Sequence, residues 1–477
     1  DKLILGAFDI TLTVANVETI VGGASADAVT LATQSTGMTI DLAGGADTLR
    51  LGAFVNTVTL SNVETVIGGS TDDTVTLATQ ATGTVLDLGA GNDTLVLRNF
   101  ANTVTVYNVE TITGGTLADN VTFGADVTGA YIDLGLGNDT LTFDASGATV
   151  TVARVETIVG SGADDLVTLA SSVMSIDLGG GADGLVLGNL VNTLTVSNVE
   201  TITGGASSDI VTLATQATGT EIDLAGGSDR LVLGAFVNTV TVANVETITG
   251  GSTNDTVTLT TQATGATIDL GAGLDTLTLA GSINTVTVSN VETLTGGSTN
   301  DLVTFGAQAT GAIVDLGDGN DRLILGAFVN TVTVSNVETI TGGSTNDTVT
   351  FAVEAEGIVV DLGAGNDTLI FDATGATVTV SNVETITGGN AADLVTLGAQ
   401  ATSASIDLGA GNDRLILGAY VNTVTVSNVE TITGAGSSDT VTLGAQSTGS
   451  KVDLGGGLDT LVLGAFVNTV TVSNVET

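Results

Sequence analysis

The sequence predicts an all-β fold, and within that class a parallel β-solenoid. Three observations carry this prediction: a repeat of 46 residues, short runs in which apolar and hydroxyl side chains alternate, and Gly-rich turns between the runs. A run such as Thr239-Val240-Thr241-Val242 has the period of two that is typical of a strand with one buried face. Strands and turns repeated at a fixed period indicate stacked coils. Parallel crossovers favour right-handed winding.

The repeat is marked by an Asp that precedes T-L-V-L and similar runs. This Asp recurs every 46 residues, except for one interval of 44 between Asp139 and Asp183. We expect one continuous solenoid over residues 1–477 without separate domains, and since both ends fall within the pattern, we expect the chain to be part of a longer protein. The ten units begin at residues 1, 47, 93, 139, 183, 229, 275, 321, 367 and 413, and a partial unit covers 459–477.

Each unit contains five strand-like runs, which in order are T-L-V-L, T-V-T-V, V-E-T-I-T, T-V-T-L and I-D-L. The unit also divides into halves of 26 and 20 residues, and both halves begin with an Asn-Asp or similar turn. One coil for each half predicts two coils for every 46 residues. The alternation predicts buried Leu231, Leu233, Val240 and Val242, with Thr239 and Thr241 on the outside.

An aromatic residue recurs in the turn after the first strand. Aromatic side chains are usually buried because they remove a large apolar area from water. We therefore expect an internal aromatic stack at one corner of the coils, formed by Phe8, Phe54, Phe100, Phe236, Phe328, Tyr420 and Phe466.

The composition excludes several classes of function. The chain has 52 acidic and 8 basic residues, no His and no Cys. It therefore has no Ser-His-Asp triad, no cysteine nucleophile and no zinc site of the usual kind. A surface this acidic argues against nucleic acid as a partner. The sequence contains no run of about 18 apolar residues, the length needed to span a membrane. Catalysis needs one asymmetric group of residues, so the uniform repeats predict that the chain is not an enzyme.

The acidic residues concentrate at four repeat positions: the Asp opening each half, the Asp of D-L-G and the Glu of N-V-E-T. If the opening Asp residues stack at one corner, neighbouring charges lie about 5 Å apart and repel by roughly 1 kcal/mol in water. Either the carboxylates extend into water or cations lie between the coils. Oxygen ligands without nitrogen or sulfur favour hard cations such as Ca²⁺.

These residues carry a family resemblance. The segment Leu408-Gly409-Ala410-Gly411-Asn412-Asp413-Arg414-Leu415 resembles the nonapeptide G-G-x-G-x-D-x-U-x of repeats-in-toxin (RTX) proteins, and N-V-E-T-I-T-G looks like their flanking segments. The resemblance implies a parallel β-roll in which this Asp and turn carbonyls bind Ca²⁺ between coils. RTX rolls repeat every nine residues, whereas the spacing here alternates between 20 and 26.

Carried over by position, the resemblance assigns Ca²⁺ to eighteen Asp residues. The alternative is that the Asn-Asp pairs only form turns held by hydrogen bonds between side chain and backbone. The candidate ligands are Asp47, Asp73, Asp93, Asp119, Asp139, Asp165, Asp183, Asp209, Asp229, Asp255, Asp275, Asp301, Asp321, Asp347, Asp367, Asp393, Asp413 and Asp439.

Near-identical repeats favour a structural role. We expect an extracellular or cell-surface protein that forms a rod, filament, surface layer or adhesin stalk stabilised by Ca²⁺. The alternative is a binding surface for ice or cells, made of outward Thr arrays such as Thr331 with Thr333 and Thr423 with Thr425. A polysaccharide-active β-helix enzyme is a more remote alternative.

A basic residue recurs at a longer period. Arg230, Arg322 and Arg414 follow the first Asp of their units and lie 92 residues apart. With two coils per unit, this places a basic residue about every 19 Å on one face, where it could meet an acidic column of a neighbouring rod. We therefore expect self-association or contact with neighbouring rods, and contact with a cell surface or matrix is compatible with the pattern.

Overall fold

The computed structural model describes residues 1–144, 146–371 and 374–477. They form two compact units, Asp1–Gly234 and Ala235–Thr477, and each is a stack of parallel strands in two sheets. The described residues form no helix, and therefore none that could cross a lipid bilayer. The predicted all-β parallel solenoid class is confirmed. Continuity over 1–477 and the right-handed winding stay predictions.

The strands are numbered in chain order; the odd-numbered strands form sheet A and the even-numbered strands form sheet B. In the first unit, β1 to β26 are Lys2–Ile4, Thr11–Val14, Thr19–Val21, Ala28–Leu31, Thr36–Asp41, Thr48–Arg50, Thr57–Ser61, Thr65–Gly69, Thr74–Leu77, Thr82–Gly89, Thr94–Val96, Thr103–Tyr107, Thr111–Gly115, Asn120–Phe123, Val127–Gly135, Thr140–Phe143, Ala148–Ala153, Thr157–Ser161, Leu166–Leu169, Ser175–Gly179, Gly184–Val186, Thr193–Ser197, Thr201–Thr203, Ile210–Leu213, Thr218–Asp223 and Arg230–Val232.

In the second unit the strands likewise alternate between two sheets. Its strands β27 to β52 are Thr239–Ala243, Thr247–Gly251, Thr256–Leu259, Thr264–Gly271, Thr276–Thr278, Thr285–Ser289, Thr293–Thr295, Leu302–Phe305, Thr310–Asp315, Arg322–Ile324, Thr331–Ser335, Thr339–Gly343, Thr348–Phe351, Ala355–Gly363, Thr368–Phe371, Ala376–Ser381, Thr385–Thr387, Leu394–Leu397, Thr402–Asp407, Arg414–Ile416, Thr423–Ser427, Thr431–Thr433, Thr440–Leu443, Thr448–Asp453, Thr460–Val462 and Thr469–Ser473.

Each coil consists of one strand from each sheet. Within sheet A, Thr57 pairs with Thr74, Thr74 with Thr94, and Thr94 with Thr111, so successive coils take 17, 20 and 17 residues. The five strands predicted for each 46-residue repeat are confirmed, for example β6 to β10. The prediction of two coils per repeat is wrong, because five strands make two and a half coils.

The odd number of strands has a geometric consequence. A residue and its equivalent 46 residues later lie on opposite sheets, and the same sheet is reached again only after 92 residues and five coils. Arg322 in β36 and Arg414 in β46, for example, both lie in sheet B. The expected spacing of about 19 Å for this pair becomes about 24 Å, at about 4.8 Å per coil.

The core consists of columns of aliphatic side chains that point between the sheets. Val332, Val349, Leu369 and Ile386 are register partners in successive coils of sheet A, and each is at most 1% exposed. The predicted inward residues Leu231, Leu233, Val240 and Val242 are buried, whereas Thr239 and Thr241 are not. The period of two therefore identified the core face correctly.

The predicted internal aromatic stack is wrong. Phe328 is 38% exposed and Phe8 is 81% exposed. The side chain that turns inward at this corner is Asn330, which is 0% exposed and donates from Nδ2 to the carbonyl oxygens of Leu325 (3.1 Å) and Phe328 (2.7 Å). An amide can satisfy buried loop carbonyls and an aromatic ring cannot, so the ring lies outside. The core aromatic pairs come from strands instead, as in Phe351 and Phe371, whose ring centroids are 6.0 Å apart.

The Gly-rich turns allow successive coils to approach closely. A Cβ atom placed on Gly342 would lie 2.2 Å from the carbonyl oxygen of Leu362 in the next coil, and all ten repeats have Gly at this position. Any side chain at this position would separate the coils, so the absence of a Cβ is required by the stacking.

Candidate functional site

The candidate site is a ladder of side chains at the edge of the coils. In the second unit, Asn330, Asp347, Asp367 and Glu384 each precede a strand of sheet A in consecutive coils. The backbone amide of each donates to the side-chain oxygen of the next: Asn330 to Asp347 Oδ1 at 3.0 Å, Asp347 to Asp367 Oδ1 at 2.7 Å, and Asp367 to Glu384 Oε2 at 2.9 Å. Each rung therefore joins two coils by a charge-assisted or amide hydrogen bond.

The ladder repeats after five coils. Ala401 occupies the fifth coil, and its amide donates to Asn422 Oδ1 at 3.0 Å, from which the next Asn-Asp-Asp-Glu series begins. A second ladder precedes the strands of sheet B and contains Asn284, Asp301, Asp321 and Glu338. Because neighbouring repeats alternate between sheets, the acidic positions are divided between two edges and do not stack at one corner.

The structure brings three of the four acidic repeat positions together. The Asp opening each half and the Glu of N-V-E-T share these ladders, and all eighteen candidate Asp residues are buried, at 0–3% exposed. The alternative of carboxylates extending into water does not describe this arrangement. The hydrogen bonds between side chain and backbone that the turn alternative predicts do occur, and they join successive coils. The Asn of V-N-T-V also belongs to the ladder, which the sequence analysis did not predict. Like the ladder Asp residues, this Asn recurs one position before a strand, and that pattern could have identified it.

The two kinds of Asp differ in how their oxygens are bound. Asp301, which opens a second half, accepts the backbone amide and Nδ2 of Asn284 at Oδ1, at 2.8 and 2.9 Å, and the amide of Gly297 at Oδ2, at 3.4 Å. Asp321, which opens a first half, accepts one amide, that of Asp301, at 2.6 Å. Its Oδ2 is buried without a hydrogen-bond partner in the described part of the chain, but so is Oδ2 of most second-half residues, such as Asp347 and Asp439. Where an Asn precedes the second-half Asp in the ladder, the difference between the two kinds is the number of donors at Oδ1. The first-half Asp therefore carries the less compensated charge.

Burial controls the protonation of the first-half Asp residues. Desolvation raises the pKa of Asp321 to about 6; the amide of Asp301 lowers the pKa, and the charges of Glu338 and Asp301 raise it further. Burial has the same effect at equivalent positions, where the pKa is likewise about 6: Asp93, Asp139, Asp183, Asp275, Asp367 and Asp413.

The donor atoms match a hard cation in type. The Oδ2 atoms of Asp347 and Asp367 and the Oγ1 atom of Thr345 are buried without a hydrogen-bond partner among the described residues. Ca²⁺ prefers such oxygen donors but takes six to eight of them. No group of three or more His, Cys, Asp or Glu side chains that could hold a metal ion occurs in the described ranges. The two carboxylates of one Asp pair would thus supply only some of the oxygen ligands that a Ca²⁺ ion needs.

The fourth acidic position, the Asp of D-L-G, lies outside the ladders. Asp315 accepts Nδ2 of Asn336 at 2.7 Å and the amide of Gly317 at 3.2 Å, both at Oδ1. Asn336 has a left-handed backbone with φ 53°, a conformation that Asn tolerates better than most residues. The hydrogen bonds of this Asp therefore hold the N-V-E-T turn in place at the surface of the coil.

Three cavities in the described part of the chain recur with the sequence repeat. One of about 130 Å³ is lined by Asn62, Glu64 and Gln80, and equivalent cavities of about 100 and 50 Å³ are lined by Asn382 with Glu384 and by Asn428 with Glu430. Ligand pockets usually measure about 300–1,000 Å³. These three cavities are too small and too alike to mark a single active site.

Comparison with known proteins adds no family assignment. The chain matches no protein-family model, and no curated protein is significantly similar to it.

Proposed function

We propose that this chain is a structural repeat region of an extracellular protein, without catalytic activity, that serves as a filament, surface layer or adhesin stalk. The observation that supports this best is the repetition of the same buried ladder every five coils, with rungs such as those of Asp347 with Asp367 and Asp439 with Asp459. A repeated hydrogen-bonded edge stabilises coil stacking uniformly. It does not create the single asymmetric group that catalysis requires.

We further propose that Ca²⁺ compensates the buried Asp pairs. The first-half Asp and the second-half Asp of the preceding coil, such as Asp367 and Asp347, would hold the ion through their free Oδ2 atoms. A bound cation would remove the cost of two desolvated negative charges in adjacent coils. Because the unfolded chain lacks this pairing, binding would stabilise the folded state.

Calcium titration of thermal unfolding tests this proposal. Ca²⁺ should raise the Tm of the full chain, and a chelator should reverse the rise. The paired change Asp347→Asn with Asp367→Asn should reduce the rise, whereas the surface change Asp361→Asn should leave it unchanged. A Tm that does not respond to Ca²⁺ in the wild-type chain would show that the ladders act by hydrogen bonding alone.

A second candidate function is a binding surface of Thr rows. Thr331, Thr348, Thr368 and Thr385 are register partners in four consecutive coils of sheet A and face outward. Such a flat hydroxyl array could bind an ordered surface such as ice. Measurement of ice-growth inhibition tests it: a loss of inhibition in Thr348→Lys would support this function, and no inhibition by the wild-type chain would exclude it.

A further inference from the structure

A threonine hydroxyl distinguishes four of the ten Asp pairs from the rest. The residue two positions before the second-half Asp varies between repeats, although the Asp itself is present in all ten. This residue is Ser in three repeats and Ala or Leu in three others. It is Thr in the remaining four, at Thr71, Thr253, Thr299 and Thr345.

The Ser and Thr hydroxyls at this position differ in their hydrogen bonds. Ser437 Oγ donates to the carbonyl oxygen of Ala419 in the preceding coil at 3.0 Å. Ser25 and Ser207 make the equivalent bonds, at 3.0 and 3.1 Å. All four Thr Oγ1 atoms, in contrast, are buried without a hydrogen-bond partner among the residues that the structure describes. A buried hydroxyl without a partner costs free energy, so a ligand that contacts it would be stabilising.

Each of these Thr residues lies beside the carboxylates of an Asp pair. Thr345 precedes Asp347 by two residues, and Asp367 lies in the next coil. A Cβ atom placed on Gly365 would lie 2.8 Å from the carbonyl oxygen of Thr345 and 2.9 Å from Oδ1 of Asp367. The Thr345 backbone and the Asp367 carboxylate therefore border one small space, which the missing side chain of Gly365 leaves open.

The same oxygen atoms recur in the other Thr-containing repeats. A Cβ atom on Gly319, for example, would lie 3.0 Å from the carbonyl oxygen of Thr299 and 2.9 Å from Oδ1 of Asp321. In this repeat Oδ2 of Asp301 accepts the amide of Gly297 at 3.4 Å, a long hydrogen bond. In the other three, both Oδ2 atoms are buried without a partner in the described ranges: Asp73 with Asp93, Asp255 with Asp275, and Asp347 with Asp367.

These atoms suit a hard divalent cation better than two carboxylates alone. The carboxylates supply negative charge, and the hydroxyl and carbonyl oxygens are neutral donors. Hard cations accept both kinds of neutral donor: Ser or Thr hydroxyls bind Mg²⁺ in phosphate-binding loops, and backbone carbonyls bind Ca²⁺. Water would complete a shell of six to eight oxygen atoms.

We infer that the hydroxyls of Thr71, Thr253, Thr299 and Thr345 are ligands of a divalent cation, and that the four Asp pairs beside them are the tight cation sites of the chain. The inference rests on the proposed compensation of the Asp pairs by Ca²⁺ and deepens it. Pairs beside Ser, whose hydroxyl is already bonded to a carbonyl, or beside Ala or Leu lack this ligand and bind the ion more weakly. The cation is therefore held at selected coils and not along the whole ladder.

Isothermal titration calorimetry of the full chain with Ca²⁺ tests the inference. In about 0.15 M salt, which screens the surface carboxylates, the wild-type chain should show one class of four tight sites. Replacement of all four Thr residues by Val removes the hydroxyls and keeps a branched side chain of similar size. It should weaken this class at least about tenfold, since loss of even an outer partner of a metal ligand has an effect of that size.

Two further variants make the test specific to the Thr hydroxyl. Replacement of Ser25, Ser207 and Ser437 by Ala is the matched control and should leave the tight class unchanged, because those hydroxyls are bonded to carbonyls. Ala391→Thr should add a fifth tight site, because Oδ2 of Asp393 and of Asp413 are also buried without a partner in the part described. Circular dichroism in chelator checks that each variant is folded.

The possible outcomes separate this inference from the proposed calcium stabilisation. A Thr-to-Val variant that keeps the tight class, an Ala391→Thr variant that gains no site, or ten equivalent sites in the wild-type chain would overturn the inference and leave calcium stabilisation standing. A wild-type chain that binds no Ca²⁺ would overturn both.

Discussion

The backbone amide of Asp347 donates a hydrogen bond of 2.7 Å to Oδ1 of Asp367, although the two residues lie in successive coils. A carboxylate that receives a backbone amide of the preceding coil holds the two coils in register. The same carboxylate carries a negative charge that has been removed from water, with its Oδ2 unpartnered in the described part. The stabilising hydrogen bond and the destabilising charge can be separated by mutation.

We expect Asp367→Asn and Asp367→Ala to change the stability of the folded chain by different amounts or in opposite directions. Asn keeps an Oδ1 acceptor for the Asp347 amide and removes the buried charge, so at pH 8 without Ca²⁺ it should leave the Tm unchanged or raise it. Ala leaves the amide without a partner, which costs about 1–3 kcal/mol. Thermal unfolding of both variants measures the difference. Equal losses in the two variants would argue against the hydrogen bond as the main contribution.

Stability without Ca²⁺ should fall as the pH rises. The pKa of Asp367 is raised from 3.8 to about 6 by burial, so the folded chain binds a proton more tightly than the unfolded chain. The resulting stabilisation is complete below the unfolded pKa of about 3.9 and is lost as the pH rises through about 6. Urea unfolding in chelator at pH 5 and pH 8 should give the lower midpoint at pH 8. A midpoint that rises between these values would contradict the protonation of the ladder.

Close stacking at Gly342 predicts a large effect of a single methyl group. Gly342→Ala would place a Cβ atom 2.2 Å from the Leu362 carbonyl oxygen, and overpacking of this kind costs about 1–3 kcal/mol. Gly436→Ala is the matched control, because no heavy atom lies within 4 Å of the added Cβ atom. The Tm should fall in the first variant and change little in the second. Similar Tm values for both would show that the turns can separate without cost.

The two kinds of aromatic residue should respond differently to truncation. Phe351 is 2% exposed and packs against Phe371 in the core, so Phe351→Ala should cost about 3–5 kcal/mol. Phe328 is 38% exposed at its corner, and Phe328→Ala should cost about 1 kcal/mol or less. Denaturant unfolding compares the two variants. A larger loss for Phe328 would mean that the corner ring contributes more than its exposure indicates.

The strands could be predicted from the sequence because their signal is local. Alternation of Thr and Val in runs such as Thr331–Ser335 is enough to define a strand and its buried face. The number of coils could not be read from the Asn-Asp turns, because a coil is defined by pairing between residues 17 to 21 apart. Counting the five strand runs against two sheets would have given the correct number.

The candidate site was predicted in part. The two opening Asp residues of one repeat lie in neighbouring coils as expected, for example Asp347 and Asp367. The single corner expected for all repeats is replaced by two edges, and Glu384 was not expected in the same ladder as Asp367. Asn330 was missed because a general preference for buried aromatic residues favoured Phe328 at that corner. Whether an amide or a ring turns inward depends on the loop carbonyls that need a donor, and these are defined only by the folded turn.

The five strands in each 46-residue repeat also bear on how such a gene can change by recombination. Loss or gain of one repeat keeps the reading frame and the hydrophobic alternation, so the altered chain still folds into coils. However, it transfers every later side chain to the opposite sheet, and residues such as Arg414 would then leave the face they share with Arg322. Only the loss or gain of two repeats together keeps every later side chain on its original sheet. A segment of 92 residues is therefore the smallest that recombination can add or remove without changing either face.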